Sequence, residues 1–357
     1  MNVMLSTMLH HSGGYSELAR NTALCLNDLD ALAVLRIVDQ NVFQAMPIDQ
    51  FCSPEYIKLE QKIAAQQAKQ YKRIPETLIQ FAPPFMMQPT PEGIKQNIGI
   101  TMFETRAPLD WFKCLNHLNH LALHDKFQAA LFDGGAEHVV RHNWSPWIEN
   151  PLDNLMTSVS TPPYILSVGV ARVHKNHSKI IDAYRMIKKD FPGLLLVIKA
   201  ITEDPEYDDY RVKIADDPDI RVIPGPYSTI AMNNLYAHCS AYVSASMCEG
   251  LDMPAVKAAM CGKPVVAGWH SGHMSWIPAT HPSLVTHQVD LSTFLNVHPR
   301  YREPKMFGYD VITAHLAEHM RAALTPGEAD DFKIDMTGKF TRKECVKSLD
   351  ILLKSLA

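Results

Sequence analysis

Apolar residues gather along this chain in short runs separated by longer amphipathic stretches. Runs over Asn2 to Leu9, Ala31 to Val38, Thr77 to Phe81, Ile98 to Phe103, Leu121 to His124 and His138 to Arg141 predict strands in the first half. Helices are expected over about Tyr15 to Leu26 and Pro54 to Arg73, with others between the last three strands. Prolines 146, 151, 162 and 163 then break the pattern, which predicts an interdomain boundary between Trp144 and Pro163. The alternation restarts with strands over Tyr164 to Val170, Leu194 to Ala200, Ile220 to Ile223, Ala241 to Ser246 and Pro264 to Ala267. Ile180, Ile181, Tyr184 and Ile187 mark one helical face between the first two of these, and a last helix is expected over roughly Arg342 to Leu356. Alternation of this kind argues an α/β fold with parallel sheets.

A chain of 357 residues is long for one core, so two packed units are expected. Hydrophobic residues make up 46% and charged residues 20%, which suits a globular enzyme and excludes a disordered or fibrous chain. A net charge of −4 gives no global field to draw nucleic acid or an anionic membrane. The seven cysteines are odd in number and form no CxxC pair, so reduced thiols and a cytoplasmic location are expected. No basic segment precedes an apolar run at the N-terminus, and no apolar run is long enough to span a bilayer.

The candidate chemistry centres on Glu249-Gly250-Leu251-Asp252-Met253-Pro254, between the buried strands at Ala241 and Pro264. Proline suits the first turn of a helix, where its missing N–H has no partner to lose. The preceding loop therefore points the Glu249 carboxylate and free backbone N–H groups at one spot, and such a helix start holds anions or polar ligands without a metal.

The segment from Asn234 through Val266 resembles the nucleotide-sugar site of retaining glycosyltransferases of the GT-B type, family 4 in particular. Members commonly show Leu-Tyr, a buried strand ending in Ser, then Glu-Gly-Phe-Gly-Leu-Pro and a second Glu eight residues after the first. Leu235-Tyr236, Ser246 and Glu249-Gly250 match, and Met253-Pro254 match in kind. Asp252 stands where the pattern has Gly, and Lys257 stands where it has the second Glu. In the family the first acid contacts donor-sugar hydroxyls and the second accepts from the ribose. Lysine has donors only, so Lys257 either reaches a ribose oxygen or a phosphate, or faces solvent.

Three further segments carry the resemblance. Ser167-Val168-Gly169 followed by Lys175-Asn176 matches the family's Val-Gly and Lys-Gly or Lys-Asn, which implies that Lys175 binds the donor diphosphate with Arg172 beside it. A solvated basic loop is the plain alternative. Gly13-Gly14 follows the first strand, where the family's glycine loop approaches the donor phosphates, helped by close approach and positive φ; an ordinary turn is the alternative. Phe103-Glu104-Thr105 matches a family strand end, so Glu104 either orients the acceptor or donor sugar across the cleft from Glu249, or stabilises the turn into Pro108 to Asn119.

His117, His120 and His124 recur at helical spacing, and His270 and His273 lie three apart. Without carboxylate or cysteine partners at ligand spacing they are read as surface or core histidines, and no metal site is expected. His10, His11 and His273 remain candidates for cleft contacts.

The resemblance implies two Rossmann-like domains facing across a cleft. Residues 1–150 are expected on the acceptor side and 151–340 on the nucleotide-sugar side, with 341–357 a helix crossing back to the N-terminal domain. It further implies metal-independent, retaining transfer of a sugar from a UDP-sugar or GDP-sugar, with no cofactor. The donor contacts would be Gly13, Gly14, Arg172, Lys175, Ser246, Glu249, Gly250, Leu251, Asp252, Met253 and Lys257, and the catalytic groups Glu249, Glu104 and Lys175. A glycan or lipid-linked glycan is the favoured acceptor. Lys58, Lys62, Lys69, Lys72 and Arg73 against Glu55 and Glu60 leave open a nucleic-acid acceptor, a modified DNA base included, or a peripheral membrane position. Lys257 also keeps open a nucleotide-sugar-binding descendant or partner subunit without activity.

Overall fold

A computed structural model describes residues 2–9, 13–38, 48–50, 52–69, 75–104, 113–132, 138–156, 161–201, 214, 217–291 and 307–356. The chain divides into two compact units: Met1–Phe103, Ala107–Glu149 and Gly338–Ala357 form the first, Glu104–Arg106 and Asn150–Thr337 the second.

In the first unit, β1 (Val3–Thr7), β2 (Leu32–Ile37), β3 (Thr77–Phe81), β4 (Gln96–Ile100), β5 (His120–Leu123) and β6 (Val140–Asn143) form one sheet in the order β2-β1-β3-β4-β5-β6. Every pairing is parallel. All five residues of β3 are buried, as a strand covered on both faces requires. Helices α1 (Gly14–Asp28), α2 (Pro54–Lys69) and α3 (Lys126–Leu131) belong to this unit. The strand expected over Leu121 to His124 is present one residue earlier: His120 opens β5 and His117 lies in the turn before it, so the spacing of these histidines does not reflect a helix.

The last helix, here α8 (Arg342–Lys354), packs on α1 within the first unit. Thr341 caps it by accepting from the Glu344 N–H, and Arg342 grips both carboxylate oxygens of Asp28 at 2.7 and 2.8 Å and both of Glu55 at 2.8 and 2.7 Å. The guanidinium also lies over the Trp147 ring, 4.9 Å from its centroid. Two-pronged recognition of this kind needs the planar fork of arginine. Arg342→Lys is therefore expected to lower stability by roughly 1 kcal/mol, discounted for partial exposure, a melting shift of a few degrees in calorimetry.

In the second unit, β7 (Tyr164–Val170), β8 (Leu195–Ile201), β9 (Ile220–Pro224), β10 (Ala241–Val243) and β11 (Val265–Val266) form a parallel sheet in the order β11-β10-β7-β8-β9. Helices α4 (His177–Ile187), α5 (Thr229–His238), α6 (Met253–Met260) and α7 (Thr313–Ala322) complete the alternation. Ile180, Ile181, Tyr184 and Ile187 are buried in its core, as their spacing predicts. A separate antiparallel pair, β12 (Thr286–Asp290) and β13 (Phe307–Val311), was not legible in the pattern. β12 has no fully buried residue, and β13 buries an aspartate, so neither shows an apolar run.

Sheet order positions the site. From β7 the chain builds outward to β8 and β9, then returns to the other side of β7 to add β10 and β11. The order reverses between β7 and β10, and ligands of open α/β sheets bind outside the carboxyl ends of the strands at such a reversal. The loop after β7 carries Lys175, and the loop after β10 carries Glu249.

Candidate functional site

The loop after β7 closes in a short turn, Val173–Lys175, and passes into α4 through Asn176, whose φ of 57° lies in the left-handed region. Asparagine tolerates that region better than most residues. Predicted strand Ala241 to Ser246 ends earlier, at Val243, and the chain then bends into the acid loop. Two contacts bind the loops together. The Met247 N–H donates to the His174 carbonyl at 2.7 Å, and the Ser246 hydroxyl lies between the carbonyls of His174 (3.2 Å) and Cys248 (3.0 Å). Ser246, expected at the donor, thus braces main chain.

Lys175 and Glu249 meet at the centre. The lysine ammonium is 2.6 Å from Glu249 Oε1 and 3.5 Å from Glu104 Oε1, and His174 Nε2 is 3.5 Å from the other oxygen of Glu104. Lys175 and Glu249 side chains are only 12% and 9% exposed, whereas Glu104 is 40% exposed and marks the open side of the group. Glu104 therefore stands with the ion pair, and the turn from Pro108 that it was expected to stabilise begins among residues outside those described.

Burial opposes the charge on Lys175, but the carboxylates of Glu249, Glu104 and Asp252 outweigh it and hold the ammonium above its ordinary pKa. Burial pushes the Glu249 carboxyl up to about 7 against the pull of Lys175, with Asp252 and Glu104 adding repulsion. Glu104 goes the other way: burial would raise it, but Lys175, His174 and Arg172 keep it low. Burial brings His174 down to about 4, so it faces Glu104 as a neutral imidazole at neutral pH. Lys175 is thus a permanent cation among three acids of unequal strength, Glu249, Glu104 and Asp252.

Asp252 occupies the position where the resemblance has glycine, and its φ of 61° explains the pattern. The backbone needs a left-handed residue there, which glycine supplies freely and aspartate accepts when its side chain bonds locally. One carboxylate oxygen caps α6 by accepting from the Ala255 N–H at 3.3 Å, and the other accepts from His273 Nε2 at 2.8 Å. Burial would raise this carboxyl, but His273, Lys175 and Ser244 hold it below its ordinary value. His273 is fully buried, so the expectation of a cleft contact gives way to a role supporting Asp252.

A turn over Ser271–Ser275 lies behind the acid loop. The Glu249 N–H donates to Ser271 Oγ at 3.1 Å, and the Gly272 N–H donates to the Glu249 carbonyl at 2.9 Å. A Cβ at Gly272 would fall 2.2 Å from the Gly250 oxygen, so only glycine permits this approach. Leu251 is buried, and its carbonyl accepts from Trp276 Nε1 at 2.9 Å, which leaves Gly250 and Met253 as the half-buried residues of the loop.

The other predicted residues are placed less centrally. Arg172 is exposed at the start of the Lys175 turn, where its carbonyl accepts from the Lys175 N–H at 2.9 Å. Lys257 is buried within α6 at 9% exposure, which removes the solvent-facing reading. Gly13 and Gly14 open α1 in the first unit, and Gly13 is extended at φ −76°, so a positive φ is not what requires glycine there. His10 and His11 lie outside the described residues. Among the described residues no group of three or more His, Cys, Asp or Glu is arranged to hold a metal. Ser271 and Gly272, which hold the acid loop from behind, carry no signal in the sequence beyond their position just past a buried strand.

Residues 156–289, within the second unit, match the family model described as glycosyl transferases group 1. No curated protein matches the chain by sequence. Among solved structures, HepE of Anabaena in complex with UDP and glucose is similar over 99% of this chain and 100% of its own, at 12% identity and a TM-score of 0.66. Sucrose-phosphate synthase from Thermosynechococcus elongatus is similar over 100% and 99%, at 12% identity and a TM-score of 0.65. The pneumococcal O-GlcNAc transferase GtfA, solved with UDP and GlcNAc, is similar over 78% of this chain and 56% of its own, at 11% identity and a TM-score of 0.52. Likeness of this extent at such low identity shows the fold: α/β, of the GT-B type, with two Rossmann-like units.

Proposed function

We propose that the protein is a glycosyltransferase that moves a sugar from a nucleotide diphosphate sugar to an acceptor hydroxyl, with retention and without a catalytic metal. The observation that carries this reading is the buried Lys175–Glu249 pair at the sheet reversal, inside the region that matches the group 1 model. It is closest to a family 4 type in which Lys257 replaces the second acid.

The chemistry follows from the competition for one ammonium. With the site open, Lys175 is satisfied by Glu249 and Glu104. A donor diphosphate offers Lys175 stronger charge-assisted bonds and draws it from Glu249. Glu249 is then left to accept hydrogen bonds from the donor-sugar hydroxyls, while Arg172 and the amino end of α6 add positive character near the phosphates. As the glycosidic C–O bond breaks, negative charge grows on the leaving phosphate oxygen, and Lys175 stabilises it. That oxygen takes the proton of the attacking hydroxyl on the same face of the sugar, which retains configuration. Glu104, on the open side, orients the acceptor hydroxyl. A glycan or lipid-linked glycan is the acceptor in this reading, and the enzyme acts in the cytoplasm. No helix among the described residues is long and apolar enough to cross a membrane.

Thermal stabilisation by UDP, GDP, ADP and their sugar conjugates tests the donor site. HepE was solved with UDP-glucose, so the uridine series comes first. A selective ligand at 100 times its Kd is expected to add about 2.7 kcal/mol of stability, and no shift with any of the three bases would sink the reading.

Lys257 supports a second reading, a nucleotide-sugar-binding protein without turnover, because a buried lysine cannot accept the ribose contacts of the family acid. On the enzyme reading Lys257→Glu lowers donor turnover by about tenfold, the effect of losing one charge-assisted contact. A gain of turnover in that variant would favour the binding protein.

A further inference from the structure

We infer that Tyr309 and Asp310, neighbours on β13, are positioning residues that hold the two loops of the site in register and so set the alignment of Lys175 with Glu249. Successive residues of a strand point to opposite faces, so one short strand can serve both loops. Asp310 takes the basic loop. Its buried carboxylate accepts from Asn176 Nδ2 at 2.8 Å and from Lys179 Nζ at 2.5 Å. Lys179 also donates to the Val311 carbonyl at 2.8 Å, which ties α4 to the same strand. Asn176 is the left-handed residue directly after Lys175, so Asp310 secures the turn that aims the lysine.

Tyr309 takes the acid loop. Its N–H donates to the Met247 carbonyl at 2.7 Å, and the Met247 N–H donates to the His174 carbonyl at 2.7 Å, a continuous link from β13 through one loop into the other. The Tyr309 ring stacks on His270, with centroids 4.9 Å apart and planes 20° apart. His270 Nδ1 is 3.0 Å from Ser271 Oγ, the group that accepts from the Glu249 N–H. Each loop is therefore held at the residue adjoining its charged group or at that residue itself. An apolar strand would have stabilised the unit without burying a carboxylate, and a buried carboxylate is costly unless its partners are fixed.

The effect on ligand binding rests on the donor reading above; the effect on the loops does not. Amide exchange over residues 173–178 and 246–251 is measured by mass spectrometry in the wild type, Asp310→Ala, Asp310→Asn and Tyr309→Ala, with UDP affinity measured by calorimetry on the same samples. Circular dichroism selects the variants that are folded, and Asp310→Asn keeps the side-chain volume if alanine does not fold. The expected result is exchange about tenfold faster over 173–178 in the Asp310 variants and over 249–251 in Tyr309→Ala, which keeps the N–H bond to Met247 and loses only the ring on His270, with UDP bound about tenfold more weakly. Adding Asn176→Gly to Asp310→Ala should restore UDP affinity to within about threefold, because glycine adopts the left-handed turn unaided. A general loss of stability would not be repaired at the ligand by that change. Unchanged exchange overturns the inference, as does faster exchange with unchanged UDP affinity, or failure of the glycine to restore it. If the wild type binds none of UDP, GDP and ADP, the donor reading falls, and exchange in the two loops alone supports or overturns the positioning role.

Discussion

Lys175→Ala is expected to cut donor turnover by roughly 10² to 10³-fold, the range for removing one preorganised charge that acts on the leaving group. On the proposed mechanism the variant loses the group that stabilises the departing diphosphate, and it leaves Glu249 and Glu104 facing each other without their shared cation. Glu249 is already raised to about 7, and without Lys175 it rises further and becomes neutral across the assay range. Neutralisation limits the stability cost, so the protein should remain folded while activity collapses. Lys175→Arg should recover little, because the guanidinium fork cannot occupy a site shaped around one ammonium 2.6 Å from a carboxylate. Steady-state release of the nucleoside diphosphate checks this, with circular dichroism to confirm folding. Turnover within about threefold of wild type would remove Lys175 from the chemistry.

Asp252→Ala is expected to have the largest effect on stability, roughly 3 kcal/mol, the sum of three losses. Alanine at φ 61° costs about 1–2 kcal/mol in backbone strain. The cap on α6 is worth about 1 kcal/mol, and His273 loses its carboxylate partner in a fully buried setting. Asp252→Gly removes the strain, so it should be less damaging although it deletes the same side chain. Acid sensitivity carries the same signature. The folded Asp252 carboxyl lies below its unfolded value, so its contribution is complete above about pH 4 and is lost as pH falls through the folded pKa. The acid limb of the stability curve should therefore be shallower in both variants. Chemical denaturation at pH 7 and at acid pH measures this, and equal stability of the alanine and glycine variants would contradict the strain.

Buried parallel strands were the most legible part of the fold. Thr77–Phe81 and Tyr164–Val170 were read to the residue because each is a short, mostly apolar run that begins within two residues of a proline, Pro75 and Pro163. Lys175 and Glu249 could be named because each lies at a strand end with a recognisable neighbour, Asn176 in one case and Gly250 in the other. Their meeting at 2.6 Å could not be read, since it depends on β10 being laid beside β7, a pairing that no local pattern encodes. Asp252 stands out in the sequence as a departure from glycine; its dihedral angle and its bond to His273, 21 residues away, account for an aspartate there and could not be read locally. Asp310 was invisible for the same reason. It sits in a strand without apolar alternation, 134 residues from the asparagine it holds.

On the proposed function, Lys175 holds the donor's second phosphate in a site shared with Glu249. This is tested most directly by calorimetric titration of wild type and Lys175→Ala with the diphosphate and the monophosphate of whichever nucleoside stabilises the protein. Wild type is expected to bind the diphosphate at least about tenfold more tightly, the value of one charge-assisted contact, and Lys175→Ala to abolish this difference while binding the monophosphate nearly as before. Equal affinity of wild type for the two nucleotides, or a preference that survives in Lys175→Ala, would contradict that role of Lys175.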